Sequence, residues 1–73
     1  MDKTLLKHFL RRVVAEGNFL YVYGEGGFFC HITREYLHNE KQPRVEGNDL
    51  VYWDVRNNKF ARFDTAKIFD IQF

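Results

Sequence analysis

Three imidazoles, one thiol and ten carboxylates are the groups in this 73-residue chain that could do chemistry. A metal site would need His8, His31 and His38 to converge with a carboxylate such as Glu35 or Glu40. They fall on a helix, a strand and a loop with no recurring ligand spacing, so ordinary surface or half-buried histidines are expected. Cys30 and His31 are adjacent, and adjacent strand residues point to opposite faces. They therefore cannot form a thiolate–imidazole pair. Cys30 shares a face with Phe28 and Ile32, which makes it a small buried hydrophobe with a suppressed thiolate. Among the acids, Glu35, Glu40, Glu46, Asp49 and Asp54 are candidates for acid–base work, but nothing brings two of them together. Asp54 sits between apolar strand residues, where a cross-strand pair with Arg62 is expected. Gly24-Glu25-Gly26-Gly27 lies between two strands and not before a helix, so it reads as a hairpin turn and not a phosphate cradle. The expectation is a protein that is not an enzyme and that carries no cofactor and no metal.

Composition narrows the remaining classes. Hydrophobic residues make up 45% and aromatics 18%, enough to fold a short chain and too much for a disordered one. A net charge of +1 argues against a dedicated DNA-binding domain, where phosphate neutralisation supplies most of the affinity. A single cysteine excludes an internal disulfide and fits a reducing cytosol. Lys7, His8, Arg11 and Arg12 interrupt the N-terminal apolar run, which is therefore read as neither a signal peptide nor a membrane span.

The elements that must position these groups follow from periodicity. Leu6, Leu10 and Val13, widened by Leu5 and Phe9, give an apolar helical stripe over about residues 4–16, with Asp2 or Thr4 as the cap. Lys3, Lys7, Arg11 and Arg12 make the opposite face basic. Strands are expected over about 18–23, 28–33, 49–55, 59–64 and 68–73. Thr33 is expected to cap one helical turn through Leu37, and His38 to Asn48 reads as a surface loop. Asn57-Asn58 suits a tight turn, and Thr65-Ala66-Lys67 suits one 3₁₀ turn. The fold expected is α+β, mainly β: a single domain forming a small five-stranded antiparallel SH3-like barrel with one N-terminal amphipathic helix. The runner-up is an open sheet with the helix on one face.

Several short motifs carry a resemblance. Cys30 centres the second strand, and Glu40-Lys41-Gln42-Pro43-Arg44 forms a Glu-x-x-Pro-basic loop. Val51-Tyr52-Trp53-Asp54-Val55, Phe60-Ala61-Arg62-Phe63-Asp64 and Ile68 follow. From Thr4 to Ile68 the chain resembles a family of small phage-encoded SH3-like β-barrel proteins whose activities are mostly unknown. It departs from the family where a usual Trp is Phe60 and a usual Arg-Ser pair is Ala61-Arg62. The resemblance implies the barrel fold and a phage origin, but no reaction.

Both faces of an aromatic strand cannot be interior. Phe19, Tyr21 and Tyr23 oppose Leu20 and Val22, while Leu50 and Tyr52 oppose Val51, Trp53 and Val55. In the last strand Phe69, Ile71 and Phe73 oppose Ile68, Asp70 and Gln72. Some rings should therefore remain outside as a docking surface. The contacts expected are Tyr21, Tyr23, Tyr52, Phe60 and Arg62, with Glu40 and Arg44 from the loop. The leading expectation is a module that binds a host protein of the transcription or defence machinery and modulates or inhibits it in the bacterial cytoplasm. The alternative is nucleic-acid binding through Lys3, Lys7, Arg11 and Arg12 beside exposed rings. No membrane partner is expected, and a homo-oligomer is compatible with either reading.

Overall fold

A computed structural model describes residues 1–16, 19–32 and 40–72. Helix α1 spans Lys3–Glu16. Asp2 is its cap: Oδ1 accepts from the amides of Thr4 (2.7 Å) and Leu5 (3.2 Å). Those bonds favour the ionised form and hold the carboxyl below its ordinary range. Leu6, Leu10 and Val13 are buried, as their spacing requires. Leu5 does not join them and stays 46% exposed, because it lies beyond the edge of the stripe.

Among the described residues, six strands form two antiparallel sheets, not one five-stranded barrel. Strands β1 (Leu20–Gly24), β2 (Phe28–Ile32) and β6 (Ile68–Gln72) form the first sheet in the order β2-β1-β6. Strands β3 (Arg44–Glu46), β4 (Asp49–Asp54) and β5 (Lys59–Asp64) form the second in the order β3-β4-β5. No ladder joins the sheets among the described residues. A cleft of ≈ 550 Å³ separates Phe29, Cys30 and His31 of β2 from Tyr52, Trp53 and Asp54 of β4.

β3 is the extra strand, inside the segment expected to be a loop. Gly47-Asn48 connects the paired residues Glu46 and Asp49, with Gly47 at φ 59°. A two-residue turn of this kind favours glycine because its first residue takes a positive φ. Arg44 and Val45 then pair with Val51 and Leu50. The next hairpin is looser than expected, with four residues between the paired Asp54 and Lys59. Asp54 organises that loop by accepting from Arg56 N, Asn57 N and Asn57 Nδ2 (2.7 Å for the last). Its carboxylate is thus held by Asn57, not by Arg62, and the side-chain bond from Asn57 lowers its pKa. Asn58 takes the positive φ, at 52°. Val55 lies in this loop, 64% exposed.

The chain returns to the first sheet through the expected 3₁₀ turn, Thr65–Lys67. Asp64 caps this turn by accepting from the Ala66 amide at 3.0 Å. Buried Thr65 bonds the Asn48 carbonyl through both its amide (2.9 Å) and Oγ1 (2.8 Å). The Met1 amine donates to the carbonyls of Thr65 and Ile68, which ties the helix end to the same turn. β6 then breaks simple alternation. Tyr23 pairs with Asp70 but Gly24 pairs with Ile68, so the register shifts at Phe69. This bulge lets Ile68 and Ile71 both pack on the core, and it leaves Phe69 67% exposed.

The core joins Leu6, Leu10 and Val13 of the helix to Leu20, Val22, Cys30 and Ile32 of the first hairpin, with Leu50 and Ile68. Each fully buried aliphatic side chain contributes roughly 2 kcal/mol. Gly24 sits where the sheets approach. A Cβ there would lie 2.6 Å from a Phe63 ring atom and 3.1 Å from the Lys67 carbonyl. Phe63 in turn stacks on Phe28 with centroids 3.7 Å apart. The expected Thr33–Leu37 turn, His38 and Phe73 lie outside the described residues.

Candidate binding surfaces

Burial of Leu20, Val22 and Gly24 turns the alternate residues of β1 outward. Pairing with β2 then sets Tyr21 opposite His31 and Tyr23 opposite Phe29. The result is a layer of five rings. Tyr21 and His31 stack at 4.5 Å with planes 12° apart, and Tyr21 lies 5.8 Å from Phe29. Phe19 meets Tyr21 edge-on at 5.3 Å, and Tyr23 meets Phe29 at 5.4 Å. Phe19 and Phe29 are each about half exposed, at 51% and 53%. From β6, Asp70 and Gln72 pair with Tyr23 and Tyr21, and Gln72 Nε2 donates to Asp70 Oδ2 at 3.2 Å. β1, β2 and β6 contain no Lys or Arg.

The outer face of the second sheet differs. Trp53 and Phe60 are cross-strand partners meeting edge-to-face at 5.2 Å. Lys41 Nζ stands 4.8 Å over Trp53, and the Arg44 guanidinium 5.1 Å over Phe60. Glu46 accepts from Arg44 Nε and Arg62 Nη2, both at 2.7 Å, and Arg62 Nη1 lies 3.6 Å from Asp49. The Arg44 hydrogen bond, then the charges of both arginines, hold the Glu46 carboxyl below its ordinary range. Beneath this layer Val51 is only 2% exposed. Arginine stems covering an apolar side chain account for that burial. Cations and carboxylates here largely satisfy one another.

The anticipated contact set is therefore divided. Tyr21 and Tyr23 meet on the first sheet, and Phe60, Arg62 and Arg44 on the second. Glu40 is exposed at the start of the segment that supplies Lys41. Tyr52 turns inward instead, half-buried against the core with its ring 5.5 Å from Phe28. Burial raises its hydroxyl pKa. β4 presents Leu50 and Tyr52 to the core and Trp53 outward, which decides a face the sequence leaves open. Phe19, Phe29 and His31 were missing from the expected set. Counting outward from the Gly24–Gly27 turn places Phe29 opposite Tyr23 and His31 opposite Tyr21, while Phe19, two residues before Tyr21, falls on the tyrosines' own face by alternation.

The basic residues of α1 divide as well. Lys3 Nζ donates to Asn48 Oδ1 at 3.3 Å, and Arg12 pairs with Glu16 at 3.1 Å. Lys7 and Arg11 are exposed. Cys30 is buried, and burial, reinforced by the charge of Asp54, pushes its thiol up to about 12. Among the described residues no three His, Cys, Asp or Glu side chains gather in a metal-binding group. No described helix is long and apolar enough to cross a membrane. No family model, curated protein or solved structure matches the chain.

Proposed function

We propose that this protein is a non-enzymatic binding module that docks on another protein through the aromatic outer face of the β2-β1-β6 sheet. The observation that carries this reading is the packed layer of Phe19, Tyr21, Tyr23, Phe29 and His31, with two phenylalanines half exposed. Rings stacked on one another have already lost much of their rotamer freedom, so a partner that covers them incurs little further ordering cost. Large aromatics at the centre of a patch are the side chains that dominate protein interfaces. A nucleic-acid face of stacked rings would need cations beside them. The three strands of this face carry none, and the helix cations belong to another element. The resemblance to phage-encoded SH3-like proteins supports extending the reading. On it, the two sheets are a relative of that barrel, and the partner is a host protein of transcription or defence whose activity is altered in the bacterial cytoplasm.

The test compares the wild-type chain with Tyr21→Ser/Phe29→Ser, immobilised and exposed to bacterial host extract, with retained proteins quantified by mass spectrometry. Losing one interface hot spot worth about 2 kcal/mol weakens binding roughly 30-fold. The expected result is a host protein held by wild type and by Arg62→Gln but lost from the double variant, whose circular dichroism remains native. Equal retention by wild type and the double variant overturns the proposal. So does sedimentation showing a dimer that the double variant abolishes, because the face then serves self-association.

A further inference from the structure

A groove of ≈ 410 Å³ lies between α1 and the segment leading into β3. Its floor is aliphatic, from Leu10 and Val14 on the helix and from Pro43 and Val45 on the opposite wall. Lys7 and Arg11 line the helix side. Four residues apart on a helix, they are neighbours on one face, and like charges in that relation mildly destabilise it. Neither has an ion pair or side-chain hydrogen bond among the described residues. Their neighbours differ, since Lys3 bonds Asn48 and Arg12 pairs with Glu16. Arg44 also lines the groove, but its guanidinium is taken by Glu46 and Phe60. Among the described residues, no Asp or Glu lines the groove.

The site is thus an apolar trough edged by two uncompensated cations. We propose that it binds an acidic amphipathic peptide segment of a protein partner, in which carboxylates meet Lys7 and Arg11 while an adjacent aliphatic side chain rests on Leu10, Val14, Pro43 and Val45. Charge complementarity selects an anion, and the aliphatic floor selects one that carries apolar side chains. The groove opens to solvent and does not enclose its contents, which suits one side of a passing chain. Nucleic acid fits poorly, because no described residue gives the groove a ring on which a base can stack, and two cations displace few counterions. This site is separate from the aromatic face and does not depend on its role.

The probe is a fluorescein-labelled, N-acetylated hexapeptide of alternating Glu and Leu, titrated with the full chain by fluorescence anisotropy. Lys7→Gln/Arg11→Gln is expected to weaken binding about tenfold or more, as loss of charge-assisted contacts does. Val14→Ser is expected to weaken it several-fold, and Lys59→Gln, far along the chain on β5, to leave it unchanged. An alternating Glu-Ser peptide bound equally well overturns the proposal by showing charge alone. Octanoate displacing the probe at equal concentration, or a single-stranded oligonucleotide binding the same residues more tightly, overturns it in favour of a different ligand. Binding that survives Lys7→Gln/Arg11→Gln places the peptide elsewhere and equally overturns it.

Discussion

Replacing Gly24 by alanine tests how the two sheets are joined. The added methyl would stand 2.6 Å and 2.9 Å from two atoms of the Phe63 ring and 3.1 Å from the Lys67 carbonyl oxygen. Backbone strain does not contribute, because Gly24 is already extended at φ −143°. Relief requires Phe63 to swing aside, and Phe63 is stacked 3.7 Å from Phe28 with planes only 8° apart. Overpacking of this kind costs about 1–3 kcal/mol, and losing a ring pair about 0.5–1.5 kcal/mol more. The expected destabilisation is thus about 1.5–4.5 kcal/mol, a large part of the roughly 4–11 kcal/mol stability typical of this length. Urea denaturation followed by Trp53 fluorescence and far-ultraviolet circular dichroism measures it. Thermal scans should show Tm falling by about 10 °C or more. A double-mutant cycle sharpens the test. Phe63→Leu alone should destabilise, but Gly24→Ala should cost about 1 kcal/mol less in its presence, because the clashing ring is gone. A loss below about 0.5 kcal/mol for Gly24→Ala, or strictly additive effects, would refute the reasoning.

Two further outcomes follow from the charged and titrating groups. Cys30 should resist Ellman's reagent at pH 8 in the native protein and react at once in urea, as a buried thiol pushed up to about 12 requires. An unfolded chain loses that proton at lower pH than the native one, so the thiol's contribution makes stability fall as pH rises through the alkaline range toward about 12. Cys30→Ala, lacking the thiol, should show a shallower fall. Glu46→Gln should cost little, because its partners Arg44 and Arg62 are about half exposed and their charges are screened by solvent. Since the folded-state pKa of Glu46 is lowered, what it contributes is present above the unfolded carboxylate pKa and lost as pH falls through the folded one. The difference between wild type and Glu46→Gln should therefore vanish in acid and shrink in high salt.

Much of the architecture is written in local pattern. The Leu6–Leu10–Val13 spacing specifies a helix face because 3.6 residues complete a turn. Alternation in Leu20–Gly24 specifies a strand, and Thr65–Lys67 specifies a single turn, each by rules that act over a few residues. The buried role of Cys30 follows from the same alternation. Local rules fail where partners are distant in sequence. Whether Tyr52 or Trp53 faces inward depends on which side of β4 meets the helix and the first hairpin. That Arg62 reaches Glu46 and not Asp54 is set by register across three strands. The bulge at Phe69 arises because β6 must satisfy β1 and the core together, and no property of Ile68–Gln72 alone announces it. β3 escapes notice because three residues carry too little periodicity until β4 pairs with them. The ring layer on the first sheet is composed locally but assembled only by pairing, since Phe19 and His31 become neighbours when the hairpin closes. Separation of that layer from the free cations of α1 is likewise a tertiary result. The sequence holds both rings and charges, and packing alone decides that they lie on different surfaces.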